Sequence, residues 1–180
     1  MIFRTILVML RGKRRPTLHI HDVGRLPLRV LPTDLDFLGH MNNGVYLSIA
    51  DLGRMDLLVR SGVWASFQKH GFYPVVASET ITFRKSLEPW QRFELESRIV
   101  GYDAKACYIE QRFVVDGEVF ARMFIRGRFL KKSGGVVSIT ELSEAVGVDA
   151  ASFPPPEWLT TWGTDVALPP TKAPAPNEWA

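Results

Sequence analysis

One apolar segment, residues 43–59, constrains the fold of this chain more than any other feature. Its apolar side chains occupy every side of a helical period instead of a single stripe: Val45, Tyr46, Leu47, Ile49, Ala50, Leu52, Met55, Leu57 and Leu58. A helix with almost no polar face is stable only where other structure surrounds it. The sequence therefore predicts a long central helix enclosed by the rest of the fold.

Alternation of apolar and polar residues predicts strands on the C-terminal side of that helix. They cover residues 73–83, 93–99, 105–115 and the stretch that begins at Val119. Asp116-Gly117, between the last two, is a strong signal for a two-residue hairpin, so consecutive strands are expected to pair antiparallel. Together with an early strand at 26–32, these strands predict an α+β fold in which a curved antiparallel sheet wraps around the helix.

Charge and cysteine content limit the classes of partner. The formal net charge of +3 arises in an N-terminal arm whose five cations all precede the first acidic residue, Asp22: Arg4, Arg11, Lys13, Arg14 and Arg15. Nucleic-acid-binding proteins usually spread Lys and Arg over a folded face with aromatic residues among them, so no nucleic-acid partner is expected. The single cysteine, Cys107, cannot form an internal disulfide and is assigned to the core. No Cys/His set has zinc-ligand spacing, so no metal is predicted either.

Composition divides the 180 residues into three parts: an apolar and then basic segment at 1–24, one folded domain at 25–148, and a proline-rich tail at 149–180. The apolar run of the first part is too short to span a bilayer. It is either a packing segment or a peripheral membrane contact through residues 1–15. The tail is expected to be extended, partly packed through Trp158 and Trp162, and disordered at its end.

The turn before the central helix carries residues suited to cleaving a thioester. That reaction needs a carboxylate or other base, which activates water or attacks directly, and donors for the developing oxyanion. Asp36 can supply the carboxylate, while His40 can hold the carbonyl, position water or protonate the leaving thiolate. Backbone N–H groups near Asn43 and Gly44, at the positive end of the helix dipole, are the expected donors.

The same turn has a purely structural explanation. Asp34, Asp36 and Asn42 are residue types that cap helices and stabilise turns by bonding their own backbone. From the residues alone both explanations stay open. Asp34 is the more structural of the two aspartates, and Asn42 is either a helix cap or a contact to substrate.

The segment from Asp34 to Tyr46 resembles the signature Asp-x-Asp-x-x-Gly-His-Met-Asn-Asn-x-x-Tyr of 4-hydroxybenzoyl-CoA-thioesterase-like hotdog proteins. Within that family it is similar to the group of thioesterase superfamily member 6 and its bacterial relatives. The likeness continues through residues 50–54, 78–85 and 120–122. In all it extends over about residues 28–131.

The resemblance implies a hotdog fold, dimers formed by joining sheets edge to edge, and active sites at the dimer interface. It also implies that Asp36 is a nucleophile or general base. The plant acyl-carrier-protein thioesterases share the His-x-Asn-Asn element, and their matching histidine is functional. The resemblance therefore implies a functional role for His40 as well. Those plant enzymes have an asparagine where this chain has Leu38, and many bacterial relatives have a glutamate at Asp51, so the full plant-type site is not carried over.

Three charged residues on the strand at 73–83 and just after it are further candidates. Glu79 shares the odd-numbered face of that strand with apolar residues, where a carboxylate needs a partner. It either reaches the acyl pocket as a substrate-binding or acid–base group or pairs with a cation such as Arg54. Arg84 and Lys85 are candidates for contacts to coenzyme A phosphates. The histidines without a partner motif are expected at the surface or in loops: His19, His21 and His70.

These observations predict a hydrolase acting on acyl-CoA or an acylated acyl-carrier protein. Coenzyme A is part of the substrate, and no separate cofactor is expected. The alternative is a non-catalytic acyl-CoA- or lipid-binding hotdog protein, which Leu38 and the apolar N-terminus favour. Hydration ranks below hydrolysis because the characteristic hydratase motif is missing from the sequence. A homodimer or tetramer is expected, in the cytoplasm or peripherally on the inner face of the membrane.

Overall fold

The protein is built on a five-stranded antiparallel sheet with the order β1-β3-β4-β5-β2. A computed structural model describes residues 1–170 and 172–177. The strands are β1 (Gly24–Arg29), β2 (Phe72–Phe83), β3 (Arg92–Tyr102), β4 (Cys107–Val115) and β5 (Glu118–Lys131). The helices are α1 (Ile2–Gly12), α2 (Asn43–Arg60), α3 (Val63–His70), α4 (Ile139–Val146) and α5 (Glu157–Asp165). The predicted α+β fold is thus confirmed.

Hairpin connections join the later strands as predicted. Asp116 and Gly117 both adopt positive φ angles, 49° and 81°, in the two-residue turn between β4 and β5. Positive angles at both central positions suit the right-handed twist of the paired strands. The hairpin places β4 and β5 in the middle of the sheet and leaves β1 and β2 at its edges.

Helix α2 packs on one face of the sheet at close range. Tyr46, Ile49 and Leu52 are almost fully buried against it. A Cβ atom at Gly53 would lie only 2.6 Å from Ser97 Oγ, so the missing side chain is what permits the close approach. Gln111 of β4 then fastens the helix to the sheet, since its Nε2 donates to the carbonyl oxygen of Ala50 at 2.9 Å.

Helix α1 lies along α2, and two arginines of the N-terminal segment reach the β1 edge of the sheet. Val8 and Gly12 are its buried residues, and the rest of the helix is partly or fully exposed. The Arg4 side chain donates to the carbonyl oxygen of Arg29, and that of Arg15 to the carbonyl oxygen of Arg25. Two guanidinium groups thereby occupy backbone acceptors that an edge strand otherwise offers to another strand.

The C-terminal segment differs from its prediction. Residues 157–165 form helix α5 on the opposite face of the sheet from α2, where Leu159 is fully buried and Trp158 packs edge-to-face on Phe124. An extended tail is therefore wrong for these residues, because their apolar side chains find a surface to cover. Part of the predicted disorder at the chain end falls on residues 171 and 178–180, outside the described residues.

Candidate functional site

The loop before α2 brings Asp36 and His40 face to face. Leu35 and Met41 form a single antiparallel bridge at its base. Inside the loop, the Asp36 N–H donates to the carbonyl oxygen of His40 at 2.9 Å, and Gly39 turns the chain with a φ of 87°. A residue with a Cβ is disfavoured in that conformation. The backbone alone therefore holds the two candidate residues on the same side of a tight turn.

The two oxygens of the Asp36 carboxylate have different surroundings. Its Oδ1 accepts a hydrogen bond from the Leu38 N–H at 2.9 Å. Its Oδ2 lies 3.6 Å from Nδ1 of His40, and both side chains reach solvent, at 18% and 33% exposure. A carboxylate and an imidazole thus lie side by side and open to solvent, as general acid–base catalysis requires.

The hydrogen bonds at the start of α2 distinguish between the two predicted oxyanion donors, the backbone N–H groups of Asn43 and Gly44. The Asn42 side chain accepts the Gly44 N–H at 2.9 Å and acts as the helix N-cap. The Gly44 N–H is therefore engaged, whereas the Asn43 N–H donates to no acceptor in the part of the chain that the structure describes. Asn43 is the more available of the two predicted donors, and Asn42 has the capping contact that its residue type suggests.

Asp34 has a structural role at the same loop. It is almost fully buried, and its Oδ2 accepts the Leu31 N–H at 2.9 Å. The Arg4 guanidinium completes its coordination at 2.9 Å from each carboxylate oxygen. Sequence reasoning did not find this partner because Arg4 lies 30 residues earlier in the chain.

Tyr46, in the first turn of α2, connects the helix to the end of β2 and to the segment that follows it. The sequence did not predict these contacts. The Tyr46 ring lies 5.0 Å from that of Phe83 at the end of β2. Its hydroxyl accepts the Leu87 N–H at 3.1 Å, and the Leu87 carbonyl oxygen accepts the Met41 N–H at 2.9 Å. Burial raises the pKa of the Tyr46 phenol, which keeps it protonated. The site thus lies between the start of α2 and the end of β2.

The predicted odd-numbered face of β2 is present from Glu79 onward and is interrupted before it. A bulge between Val76 and Ser78 shifts the strand, so Val76 pairs with Gly127 while Glu79 pairs with Ile125. Glu79 consequently shares the helix-facing side with Ile81 and Phe83, but the predicted alternation fails before the bulge.

The ion pair of Glu79 with Arg54, one of the two predicted alternatives, is not what the structure shows. Arg54 donates to Gln111 at 2.8 Å and contacts Asp51. Glu79 is half-buried and has no hydrogen bond or ion pair within the described residues. Its carboxylate therefore remains a candidate for the acyl pocket.

Arg84 and Lys85 are exposed beyond the end of β2. They contact the two carboxylate oxygens of Glu118 at 2.5 and 2.6 Å. A phosphate at this position has to compete with that carboxylate for both cations. Leu38 and Phe37, at the tip of the loop that holds Asp36, are 64% and 95% exposed.

Two residues outside the loop bear on the sequence predictions. Cys107 is fully buried, and burial raises the pKa of its thiol, so its assignment to the core is confirmed. His21 lies in the loop before β1 and is partly buried there, with its Nε2 3.2 Å from the Tyr102 hydroxyl and its ring 4.8 Å from that of Phe153. Burial lowers the pKa of His21.

An apolar cavity of about 350 Å³ lies beside the C-terminal half of α2. Met55 and Leu58 of α2, Phe67 of α3 and Ile125 and Phe129 of β5 are among its lining residues. Its volume falls within the range of small-molecule pockets. Such a space accepts an aliphatic group and offers little to a polar one.

The sequence matches the thioesterase-like superfamily over residues 30–163. The chain is 39% identical to Protein THEM6 of Xenopus laevis over 129 residues, which make up 69% of this chain and 61% of that protein. It is 27% identical to the probable thioesterase YBR096W of Saccharomyces cerevisiae over 124 residues, 65% of this chain and 52% of that protein. The chain thus spans between half and two thirds of these relatives.

A solved structure shows the same fold. The probable thioesterase YbaW of Escherichia coli superposes with a TM-score of 0.64 at 22% identity, over 68% of this chain and 95% of that one. The predicted hotdog fold, a curved antiparallel sheet around a long helix, is confirmed by this likeness.

Proposed function

The chain belongs to the thioesterase-like superfamily, and from this premise we propose that it hydrolyses acyl thioesters of coenzyme A or of an acyl-carrier protein. The observation that carries the proposal is the Asp36 carboxylate, which has one oxygen free beside His40 at the start of α2. Coenzyme A is part of the substrate in this reaction. No separate cofactor or metal is proposed.

The proposed reaction uses the geometry of the loop. The thioester carbonyl oxygen accepts the free Asn43 N–H, where the helix dipole favours negative charge. Asp36 removes a proton from water as the water oxygen attacks the carbonyl carbon, or attacks that carbon directly and is released by water in a second step. The C–S bond then breaks, and His40 delivers a proton to the leaving thiolate. The products are a carboxylic acid and a free thiol.

The apolar cavity beside α2 supports an acyl group with aliphatic character. Its lining is dominated by hydrocarbon side chains, which bind methylene groups by removing them from water. The half-buried Glu79 lies on the face of β2 that looks towards α2 and can contact the substrate between the loop and the cavity. Arg84 and Lys85 are the proposed contacts for the phosphates of coenzyme A, which would replace the Glu118 carboxylate as their partner.

A homodimer formed through β2 is part of the proposal. Arg4 and Arg15 occupy two carbonyl oxygens of β1, whereas β2 is an edge strand of twelve residues with Tyr73, Val76 and Phe83 substantially exposed. A long, partly apolar edge strand is a ready template for pairing with another chain. Pairing there places the site, which adjoins the end of β2, at the boundary between two subunits.

The dimer is tested by light scattering on Val76→Lys. The wild type is expected at twice the chain mass, and the charged edge residue is expected to give a monomer. Val136→Lys, at a similarly exposed valine outside β2, is the matched control. A wild-type monomer, or a Val76→Lys dimer, contradicts this part of the proposal.

Hydrolysis is tested by following thiol release from a panel of acyl-CoA and acyl-carrier-protein substrates. Asp36→Asn preserves the hydrogen bond from Leu38 but removes the charge, so we expect kcat to fall by a factor on the order of 10²–10⁴. Asp165→Asn, an equally small charge loss on the distant helix α5, is expected to keep the wild-type rate. An unchanged rate in Asp36→Asn removes that residue from the mechanism.

Tight acyl-CoA binding by the wild type without thiol release across the panel contradicts hydrolysis. That result selects the non-catalytic binding protein instead. His40→Gln tests the proposed role of His40 in proton transfer. We expect kcat to fall about 100-fold with little change in KM. His70→Gln, an exposed histidine on α3, is its control.

A further inference from the structure

The outward face of α1 exposes an apolar stripe. Five side chains at helical spacing form it: Ile2, Phe3, Ile6, Leu7 and Leu10. They are between 44% and 83% exposed, while the opposite face of the same helix carries the buried Val8 and Gly12. The inner face thus supplies the intramolecular packing, and nothing within the described chain covers the stripe. A contiguous exposed patch of this kind marks an interaction surface.

Uncompensated cations lie beside the stripe. Arg11 lies in the last turn of α1, Lys13 and Arg14 follow the end of the helix, and all three are exposed, while no acidic residue occurs before Asp22. None of the three has a carboxylate within ion-pair distance in the described residues. The apolar stripe is therefore flanked by positive charge only.

A groove of about 1090 Å³ between α1 and the β1 edge contains a second cationic group. Arg29 of β1 and Arg92 of β3 are direct cross-strand partners, and both are exposed. Like charges opposite each other destabilise a strand pair, and no carboxylate within the described part of the chain forms an ion pair with either. Leu7 and Arg11 line the same groove, so it is continuous with the stripe.

Three of the four acids that line the groove are already paired with arginines. Glu94 and Glu96 both bind Arg25, at 3.4 and 3.3 Å, and Asp56 binds Arg15 at 2.9 Å. Asp116, in the β4–β5 hairpin, lies near Arg92, because the register that pairs Glu94 with Val114 continues towards these two residues, but it forms no ion pair within the described residues. Arg11, Arg29 and Arg92 outnumber the unpaired Asp116, so the net unpaired charge of the groove is positive.

We propose that this face binds the surface of an anionic phospholipid membrane, with the α1 stripe inserted among the acyl chains and a lipid phosphate in the groove between Arg29 and Arg92. The combination is that of an interfacial amphipathic helix, which buries an apolar face at the headgroup boundary and adds electrostatic attraction to anionic lipids. Within the described residues, no helix has both the length and the apolar character needed to cross a bilayer. The proposal does not depend on the proposed reaction.

Binding is measured by flotation of the full chain with vesicles of phosphatidylcholine alone or with about a third phosphatidylglycerol. The wild type is expected to float with the anionic vesicles, and salt is expected to weaken the interaction. Phe3→Glu and Leu10→Glu each place a charge in the stripe without disturbing a buried contact, and each is expected to reduce affinity at least about tenfold. Leu168→Glu, the same change at an 87% exposed leucine of the C-terminal segment, is the matched control.

The groove is tested separately by Arg29→Gln and Arg92→Gln, each of which is expected to weaken binding to the anionic vesicles about fivefold. Circular dichroism confirms that every variant is folded. The proposal is overturned if the wild type does not float with anionic vesicles at low salt, or if Phe3→Glu and Leu10→Glu both float as well as the wild type. It is also overturned if Phe3→Glu lowers the mass by light scattering, because the stripe is then an interface between copies of this chain.

Discussion

The Nη1 atom of Arg4 lies 2.9 Å from both carboxylate oxygens of Asp34. One residue belongs to the N-terminal helix and the other to the turn that leads into the candidate site. Asp34 is 3% exposed, so its charge depends on this partner and on the Leu31 N–H for compensation. The N-terminal helix is thereby tied to the loop that holds Asp36 and His40, even though its own apolar face points to solvent.

Replacing Arg4 by Met is expected to destabilise the protein by about 1–3 kcal/mol, since it leaves a buried carboxylate without its cation. The free energy of unfolding in urea measures the effect. The double variant Arg4→Met/Asp34→Asn is expected to recover part of the loss, because it removes the stranded charge as well. If the double variant loses the sum of the unfolding free energies that the two single variants lose, a direct interaction between Arg4 and Asp34 is contradicted.

Gly53→Ala is expected to destabilise the protein by about 1–3 kcal/mol. Alanine gains roughly 1 kcal/mol of helix propensity over glycine, but its Cβ meets Ser97 Oγ at 2.6 Å and Leu95 Cδ2 at 2.7 Å. Both neighbours are almost fully buried and have no space into which to move, so the steric cost outweighs the gain in helix propensity. Ser48→Ala on the same helix is the control, and its stability is expected to equal or slightly exceed that of the wild type.

His21 is expected to make stability depend on pH. Burial, and then the neighbouring His19, lower its pKa in the folded state below the unfolded value of 6.5, while Asp22 opposes them. Above pH 6.5 the ring is neutral in both states, so its contribution is constant. As the pH falls below 6.5 the unfolded chain takes up the proton first, and stability decreases until the folded pKa is reached.

Urea denaturation at pH 7.5 and 5.5 measures this effect. His21→Gln is expected to lose less stability than the wild type between the two values. An identical loss in both proteins shows that other groups cause the acid sensitivity.

Gly101→Ala is expected to release the segment that leads to α5. Gly101 has a φ of 149°, and a Cβ there would lie 2.3 Å from the backbone of Pro155. Limited proteolysis of the C-terminal segment and the melting temperature report the release. Gly134→Ala, at a glycine with a φ of 101° and nothing within 4 Å, controls for backbone strain alone and is expected to leave the segment protected.

Local features of the sequence predicted much of the fold. The apolar segment at 43–59 required a buried helix, Asn42 caps it, and Asp116-Gly117 forms the hairpin turn. Each of these depends on residues within a few positions of one another, and such preferences act in any context. The candidate pair of Asp36 and His40 lies four residues apart in one turn, which is why the sequence could place them together.

Other features were decided by the tertiary structure. The bulge before Ser78 interrupted the predicted face of β2 ahead of Glu79, and Glu118 rather than a free surface faces Arg84 and Lys85. The helix at 157–165 formed because the outer face of the sheet was available to cover. The sequence by itself determined the central helix, the strands and the residues of the turn before α2, since short-range geometry and burial requirements depend on neighbouring residues. Only the folded chain determined which distant charges meet, because ion pairs such as Arg4 with Asp34 depend on how separate elements pack in space.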